Sequence, residues 1–290
     1  MIKAKDFTTH YIDKYDKLKR HDAPKWIYRG QRNSKWTFKS SLQRLCDSMD
    51  IKLKNRHILE RILALEFKRR FHQYSKYDPD RDDNLEWLSI MRHYMAPTRL
   101  LDWNYSIYIA TYFALENDSA EGGAAVWALN GKWARKESKA EFLKNGREKE
   151  DVKRITGKAI SKGYAKSFQK LFLVEPFINT ACPVNPNRLT QRLTTQKGLF
   201  LCPGNPNITF DENIESMNGF KDEKNIIRLV IPRQNRKEIL KGLYESNITH
   251  TTLFPGLDGF AKSLSVYHYS FEKNNYQKHP YKNNDSIWTL

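Results

Sequence analysis

A short predicted strand near the start of the chain ends in an arginine and a glycine. The run from Lys25 to Arg29 is predicted to be extended, and Gly30 ends it. A guanidinium can grip a phosphate through two hydrogen bonds, and a glycine lets a ligand approach the backbone closely because it has no side chain. Arg29 is therefore either a ligand-binding residue or a structural partner of a buried carboxylate such as Asp102.

A second set of reactive side chains lies within eleven residues of the middle of the chain. One predicted strand and the residues just before it carry an imidazole, a guanidinium, a carboxylate and an indole, from His93, Arg99, Asp102 and Trp103 respectively. Histidine titrates near neutral pH and is a common acid or base in catalysis. Near the end of a helix it is also often a cap or a core residue, so both interpretations stay open for His93.

A third polar segment runs from Gln191 to Phe200 and is predicted to form a strand, a turn and a strand. Gln196 lies at its turn, where the side chain could face a pocket. An ordinary hairpin would have the same composition, and the pattern does not separate the two.

The apolar periodicity predicts the helices and strands that position these residues. Pro97 is predicted to stop the second major helix, since proline disfavours helical geometry in the residue before it. Asn104 or Asp102 is a plausible cap for the helix that follows. The predicted helices are 7–20, 56–74, 84–95, 105–116, 233–246 and 256–266. The predicted strands, besides the first, are 98–101, 124–129, 171–178, 198–202 and 226–231.

The chain carries a formal net charge of +17 at pH 7. Much of the excess lies in residues 52–76, with eight basic and two acidic side chains, and in residues 132–170, with thirteen and five. A field of this sign attracts polyanions such as nucleic acid or anionic lipid headgroups. Solvated helix faces would look the same. The second segment is predicted to be a helical insertion on the surface.

The composition predicts a packed globular protein of the cytoplasm. No stretch reaches the roughly 18 consecutive apolar residues of a membrane span, and the first residues lack the apolar core of a signal peptide. Cys46, Cys182 and Cys202 are far apart in sequence and odd in number, so neither a disulfide framework nor a metal site is predicted.

Four motifs, in order, resemble the FRG domain family, which is named for an aromatic-Arg-Gly motif. They are Tyr28-Arg29-Gly30-Gln31; His93-Tyr94 leading to Pro97-Thr98-Arg99-Leu100-Leu101-Asp102-Trp103 and its apolar helix; Gln196-Lys197-Gly198-Leu199-Phe200; and Leu253-Phe254-Pro255-Gly256-Leu257-Asp258-Gly259. Together these motifs frame a core at about 26–264. Because no repeat or low-complexity linker splits the chain, one domain over residues 1–272 is predicted, with the charged helical insertion at 131–170 and a polar tail at 273–290.

The order of these elements is similar to that of the ADP-ribosyltransferase fold. This resemblance implies an α+β protein with a mixed, mostly antiparallel sheet flanked by helices. It also implies that NAD is the substrate, held by Arg29 and Gly30, while Asp102 and Trp103 shape the nicotinamide-ribose pocket. Tyr28, Gln31, Thr98 and Arg99 are further candidate contacts to NAD.

The resemblance implies a glycosyl transfer, in which positive charge develops on the ribose. Asp102 or Asp258 could stabilise that charge, and Arg29, His93 and Gln196 complete the set of candidate catalytic residues. Transferases of this kind usually carry a glutamate where this chain has Gln196. Two functions therefore stay open: an enzyme that modifies a macromolecule, as in a bacterial toxin or antiphage effector, or a module that binds a nucleotide or nucleic acid without turnover.

Overall fold

One seven-stranded sheet organises the computed structural model, which describes residues 3, 7–23, 25–117, 122–157 and 160–264. The strand order is β1-β7-β4-β2-β3-β6-β5. β1 runs parallel to β7, and the other neighbouring pairs are antiparallel. The strands are β1 Thr9–Tyr11, β2 Trp26–Gln31, β3 Leu101–Asn104, β4 Ala124–Asn130, β5 Ala181–Val184, β6 Gly198–Pro203 and β7 Ile226–Ile231. The predicted α+β class with a mixed, mostly antiparallel sheet is confirmed.

Helices cover the sheet, and half of the α-helices described begin at a residue whose side chain caps the first turn. Ser40, Asp83, Asn130, Thr190, Thr209 and Thr249 each accept a hydrogen bond from a backbone amide of the helix that follows. The helices are α1 Ser41–Ser48, α2 Arg56–Phe71, α3 Asn84–His93, α4 Ile107–Leu115, α5 Gly131–Lys144, α6 Lys149–Thr156, α7 Tyr164–Phe168, α8 Gln191–Thr195, α9 Phe210–Glu215, α10 Arg236–Glu245, α11 His250–Leu253 and α12 Leu257–Leu264.

The centre of the sheet is where the functional site is built. β2 and β4 pair along six residues, from Trp26 opposite Asn130 to Gln31 opposite Ala125. β2 and β3 pair only at Tyr28 and Asn104. After Tyr28, β2 therefore forms no further pairs with β3, and Arg29 lies where this pairing stops.

The apolar helix α4 packs directly against β2 at Gly30. A Cβ atom added to Gly30 would lie 2.0 Å from the carbonyl oxygen of Ala110 and 2.6 Å from the amide nitrogen of Ala114. Both are backbone atoms, so only glycine fits beneath the helix. The helix therefore accounts for the glycine of the aromatic-Arg-Gly motif without any ligand.

The chain leaves α3 through a left-handed turn that begins two residues before Pro97. The amide of Ala96 donates to Met91 O over 2.8 Å, and the amide of Met95 donates to Arg92 O over 3.1 Å. Met95 has a φ of 63°. These are the two bonds of a Schellman motif, so the helix ends there rather than at the proline.

Three sequence predictions about secondary structure are wrong. The leading helix 7–20 is instead β1, which pairs with β7, followed by a 3-10 helix at Tyr15–His21. The strand 171–178 is a π-helical turn at Gln169–Leu173, which keeps Leu171 and Phe172 buried, and the strand of this region is β5. The first half of segment 191–200 is the short helix α8. In each case packing against distant residues overrides the local pattern.

The charged segment 131–170 is helical, as predicted, but its described residues are not a surface appendage. Phe142, Val152, Ile155 and Phe168 are buried in one cluster with Cys182 and Val184 of β5. The few apolar side chains of the segment therefore extend the core beyond the edge of the sheet. The predicted tail 273–290 and the last residues of the helix predicted at 256–266 lie outside the described residues.

Candidate functional site

A cavity of about 1170 Å³ opens beside β2 and β3 and brings most of the predicted site residues together. Its walls come from β2, β3, α3, α4, α8, α11 and α12. Seven of the predicted residues line it, namely Arg29, Gly30, His93, Asp102, Trp103, Gln196 and Asp258. Segments separated by more than 200 residues in sequence thus share one hollow.

Arg29 is held by the backbone of the neighbouring strand. Its Nη1 donates a hydrogen bond to the carbonyl oxygen of Asp102 over 2.6 Å. Its Nε is buried and has no hydrogen-bond partner among the described residues. Burial lowers the pKa of Arg29 to about 10, although Asp102 opposes the shift. The guanidinium is therefore a cation at neutral pH whose hydrogen-bonding capacity is only partly used by the protein.

Asp102 is an ionised carboxylate fixed by a neighbouring arginine. Arg92 donates to Oδ2 of Asp102 from Nε, over 2.8 Å, and from Nη2, over 2.5 Å. Burial alone would raise the pKa of Asp102, but Arg92, Arg29 and Arg192 together lower it below its ordinary value. The side chain keeps 41% of its surface exposed. Its Oδ1 accepts no hydrogen bond within the described part of the chain.

Arg192 presents a guanidinium to the cavity from α8. Its Cζ lies 4.5 Å from the centre of the Phe254 ring, a distance typical of a cation–π contact. None of the described residues accepts a hydrogen bond from its guanidinium. Burial lowers the pKa of Arg192, while Asp102 opposes the shift. These donors are open to an anionic ligand.

His93 lies on the same side of the cavity, at the last residue of α3. Burial, together with the charge of Arg192, lowers the pKa of His93. Its ring makes an edge contact with Tyr94 at 4.8 Å. A neutral imidazole beside an arginine can hydrogen-bond a ligand without adding charge.

Gln196 closes one end of the cavity by joining three elements. Its side-chain amide donates to Leu253 O over 3.1 Å, and its backbone carbonyl oxygen accepts from the Asn104 side-chain amide over 3.0 Å. Asp258 lies exposed in the first turn of α12. Gln196 therefore has a positioning role in the protein itself, whatever it contacts in a ligand.

Four residues predicted to contact a cofactor do not line the cavity. Tyr28 is fully buried, and its hydroxyl donates to His21 O over 2.6 Å. Gln31 accepts a hydrogen bond from the indole of Trp127 over 2.8 Å. The backbone amide of Thr98 donates to the Ser41 hydroxyl over 3.1 Å. The structure thus corrects these three assignments, because the side chains face the protein interior.

Arg99 is the fourth and belongs to a buried ion pair. It donates to Glu60 from its backbone amide, over 2.8 Å, and from Nε, over 2.5 Å, while Nη1 donates to Phe172 O over 2.7 Å. Both charged side chains are at most 4% exposed. The guanidinium is thus fully used in holding α2 against the start of β3, which corrects its assignment as a ligand contact.

Trp103 and Asp102 point to opposite faces of β3. The indole of Trp103 is fully buried and packs near Phe38, with its Nε1 lacking a partner among the described residues. Successive side chains of a strand alternate between faces, so the indole predicted as an aromatic wall beside Asp102 belongs to the core, although the residue borders the cavity.

Sequence reasoning missed four residues of the cavity: Arg92, Glu116, Arg192 and His250. Glu116 and His250 form a close pair, with Oε1 2.6 Å from Nδ1. Their separation by more than 130 residues gave no spacing to detect. Arg92 directly precedes His93, and Arg192 lies four residues before Gln196 in the polar segment 191–200, so closeness in sequence was the available signal.

The described residues show neither a metal centre nor a membrane segment. No group of three or more histidine, cysteine or acidic side chains is arranged there to hold a metal ion. The three cysteines are buried free thiols, and burial raises the pKa of Cys182 to about 11. None of the helices that the structure describes is long and apolar enough to cross a membrane.

The fold and the cavity define the class of protein: an α+β domain with a mixed seven-stranded sheet and an arginine-lined hollow beside its central strands. Residues 24–123 match the model of the FRG domain, which supports the resemblance to the FRG domain family that the motifs carry. The matched segment contains Arg29, His93, Asp102 and Glu116. No curated protein and no solved structure matches the chain.

Proposed function

We propose that the cavity binds NAD and that the protein is an ADP-ribosyltransferase-like enzyme that transfers ADP-ribose to a macromolecule. The observation that carries this proposal is the convergence of Arg29, Asp102 and Arg192 on one cavity. The first and third supply donors for phosphates, and the second supplies a carboxylate for the ribose.

The size and charge of the cavity suit a dinucleotide. Pockets for drug-sized ligands span about 300–1000 Å³, and this one is about 1170 Å³. The diphosphate of NAD carries two negative charges, and arginine recognises such groups through paired hydrogen bonds. Phe254 already stacks against Arg192 and offers an aromatic surface beside these donors.

The carboxylate of Asp102 is placed to stabilise a positively charged ribose. The bond from C1′ to the nicotinamide nitrogen breaks with its electron pair on nicotinamide, and the sugar becomes oxocarbenium-like before the acceptor bonds to C1′. Arg92 holds Oδ2 of Asp102, which leaves Oδ1 for the sugar. A fixed carboxylate needs little reorganisation as charge develops.

A binding module without turnover is the second candidate, and two observations favour it. Arg92 neutralises much of the charge of Asp102. Gln196, where transferases of this kind carry a glutamate, is engaged with Leu253 O. In this case NAD or another nucleotide would occupy the cavity as a signal and would leave it unchanged.

The experiment compares wild type with Arg192→Ala and Arg29→Ala for NAD binding by calorimetry and for nicotinamide release in the presence of cell extract. A hydrogen bond to a charged group contributes about 1.5–3 kcal/mol, so losing Arg192 should weaken binding roughly 10- to 100-fold. Arg20→Ala is the matched control, because Arg20 is exposed in the 3-10 helix Tyr15–His21 and lies outside the cavity and outside the basic segments 52–76 and 132–170.

The outcomes separate the two candidates. Nicotinamide release by wild type that is lost in Arg29→Ala supports transfer. Binding without release supports the binding module. If wild type neither binds NAD nor consumes it, or if Arg20→Ala is as defective as Arg192→Ala, the proposal fails.

The acceptor we propose is a nucleic acid or a protein bound to one. The basic segment 52–76 lies largely on α2, where Arg61, Arg69 and Arg70 are exposed. Binding of single- and double-stranded nucleic acid, titrated against salt, tests this part: a steep salt dependence that Arg29→Ala does not change indicates the basic surface.

A further inference from the structure

A carboxylate and an imidazole face each other in the wall of the cavity, away from the Arg92–Asp102 pair. Oε1 of Glu116 lies 2.6 Å from Nδ1 of His250. The side chain of His250 is 3% exposed and that of Glu116 is 11% exposed, yet both residues line the cavity. The mechanism described above uses neither.

Both residues are held rigidly. His250 follows the capping Thr249 at the first residue of α11, and its ring stacks on Phe254 at 4.2 Å with an interplanar angle of 17°. Glu116 directly follows α4, and its amide donates to Tyr112 O over 2.7 Å. The pair therefore joins the helix beneath the aromatic-Arg-Gly motif to the segment that carries Asp258.

The surroundings of the pair differ from those of a purely structural ion pair. Arg99 and Glu60 lie outside the cavity, and Arg99 also donates to Phe172 O. His250 and Glu116, in contrast, border the cavity, and the His250 ring meets Glu116 only through its Nδ1 side. Nδ1 of His250 and Oε1 of Glu116 are both buried and make no hydrogen bond of normal geometry among the described residues, so the carboxylate acts on the imidazole as a charge at close range. With the proton on Nδ1, nearest the carboxylate, the lone pair is on Nε2, which can then accept a proton.

We propose that His250 is the proton acceptor for the nucleophile that attacks the ribose of NAD, and that Glu116 is its positioning residue. The inference rests on the proposed function and names its chemistry: the acceptor is an O–H nucleophile, either water or a hydroxyl of the macromolecule. As the oxygen bonds to C1′ and nicotinamide leaves with the electron pair of the broken bond, the hydroxyl proton passes to Nε2 of His250 and then to solvent.

The charged groups around His250 come from three elements. Glu116 follows α4, Arg192 lies on α8 and Lys262 lies on α12, with its Nζ 3.6 Å from Oε1 of Glu116. Burial lowers the pKa of His250; Glu116 opposes the shift, and Lys262 and Arg192 add to it. The imidazole is therefore neutral at pH 7 and able to take up a proton.

The test measures nicotinamide release and NAD affinity for wild type, His250→Gln, His250→Ala and Glu116→Gln, with His10→Gln as the matched control. His10 is exposed on β1, outside the cavity and outside the basic segments. General-base catalysis contributes roughly 10²- to 10⁴-fold, so kcat should fall by about this factor in His250→Gln. The Kd for NAD should change less than about threefold, since the fall is in chemistry rather than in ground-state binding.

Two further readouts separate a proton acceptor from a merely structural residue. The acidic limb of the pH profile of kcat should disappear in His250→Gln, and added imidazole should restore part of the activity of His250→Ala. If His250→Ala does not fold, the pH profiles of His250→Gln and Glu116→Gln, which nearly conserve side-chain volume, decide whether His250 accepts the proton.

The failure of this inference can be distinguished from failure of the proposed function. If wild type is active and the variants keep both kcat and the acidic limb of the pH profile, the role of His250 is refuted. The proposed activity on NAD is not refuted by that result. A fall in kcat that comes with an equal loss of NAD affinity, and no change of pH profile, also refutes the role of His250. A wild type that releases no nicotinamide refutes both.

Discussion

The close contact between Gly30 and α4 predicts that even one added methyl group disrupts the centre of the fold. In Gly30→Ala the new Cβ would lie 2.0 Å from Ala110 O and 2.6 Å from Ala114 N. An ordinary contact needs about 3.4 Å or more, and both partners are backbone atoms of one helix. The helix must therefore move by about 1 Å, because no side chain can rotate away.

The magnitude follows from the rigidity of this contact. Overpacking a core costs about 1–3 kcal/mol where side chains can adjust, and occasionally more. Here a helix must shift, so we expect a loss of about 3 kcal/mol or more in the free energy of unfolding. For a domain of this size, 1 kcal/mol corresponds to roughly 2–4 °C, so Tm should fall by about 6 °C or more.

The assay is urea unfolding followed by tryptophan fluorescence, with Gly131→Ala as the matched control. A Cβ at Gly131 would meet nothing closer than 3.5 Å, and that atom is on the flexible side chain of Arg135. Its stability should therefore be unchanged or rise by up to about 1 kcal/mol. Equal stability of Gly30→Ala and wild type would refute the argument that α4 requires the glycine.

Three other perturbations have defined outcomes. Glu60→Ala strands the buried Arg99 and should lower the free energy of unfolding by about 3–5 kcal/mol in urea titrations; a loss below about 1 kcal/mol would contradict the buried pair. The lowered pKa of Asp102 stabilises the fold above the unfolded value of about 3.9, and this contribution disappears as pH falls through the folded pKa. The stability difference between wild type and Asp102→Asn should therefore shrink below about pH 4. A difference that does not change with pH would contradict the lowered pKa of Asp102. Met95→Gly relieves a left-handed φ of 63° and should raise Tm slightly, whereas a drop of several degrees would contradict the strain.

Much of the fold could be predicted from local signals. The strand 226–231 has the predicted bounds, and β2, β4, β6 and helices α2 to α4 differ by a few residues at their ends. Their periodicity agrees with the tertiary structure. The start of the chain does not, because Thr9–Tyr11 becomes a strand only through parallel pairing with β7, more than 200 residues away.

The candidate site was predicted where order along the chain implied proximity and missed where it did not. Asp102 and Trp103 are neighbours in sequence, but successive side chains of a strand point to opposite faces of the sheet. This alternation could have predicted that only one of the two faces the cavity. Arg99 has the chemistry of a ligand residue, and only its buried partner Glu60, from α2, reveals its structural role. The pairing of Glu116 with His250 depends on the packing of α4 against α11, which no local pattern specifies.

A crystal structure of the protein soaked with NAD or ADP-ribose tests the central claim most directly. We expect the diphosphate within hydrogen-bond distance, about 3 Å, of the guanidinium of Arg29 or Arg192, with the ribose attached to nicotinamide facing Asp102. A ligand bound elsewhere on the surface, or a cavity that stays empty at saturating concentration, would contradict it.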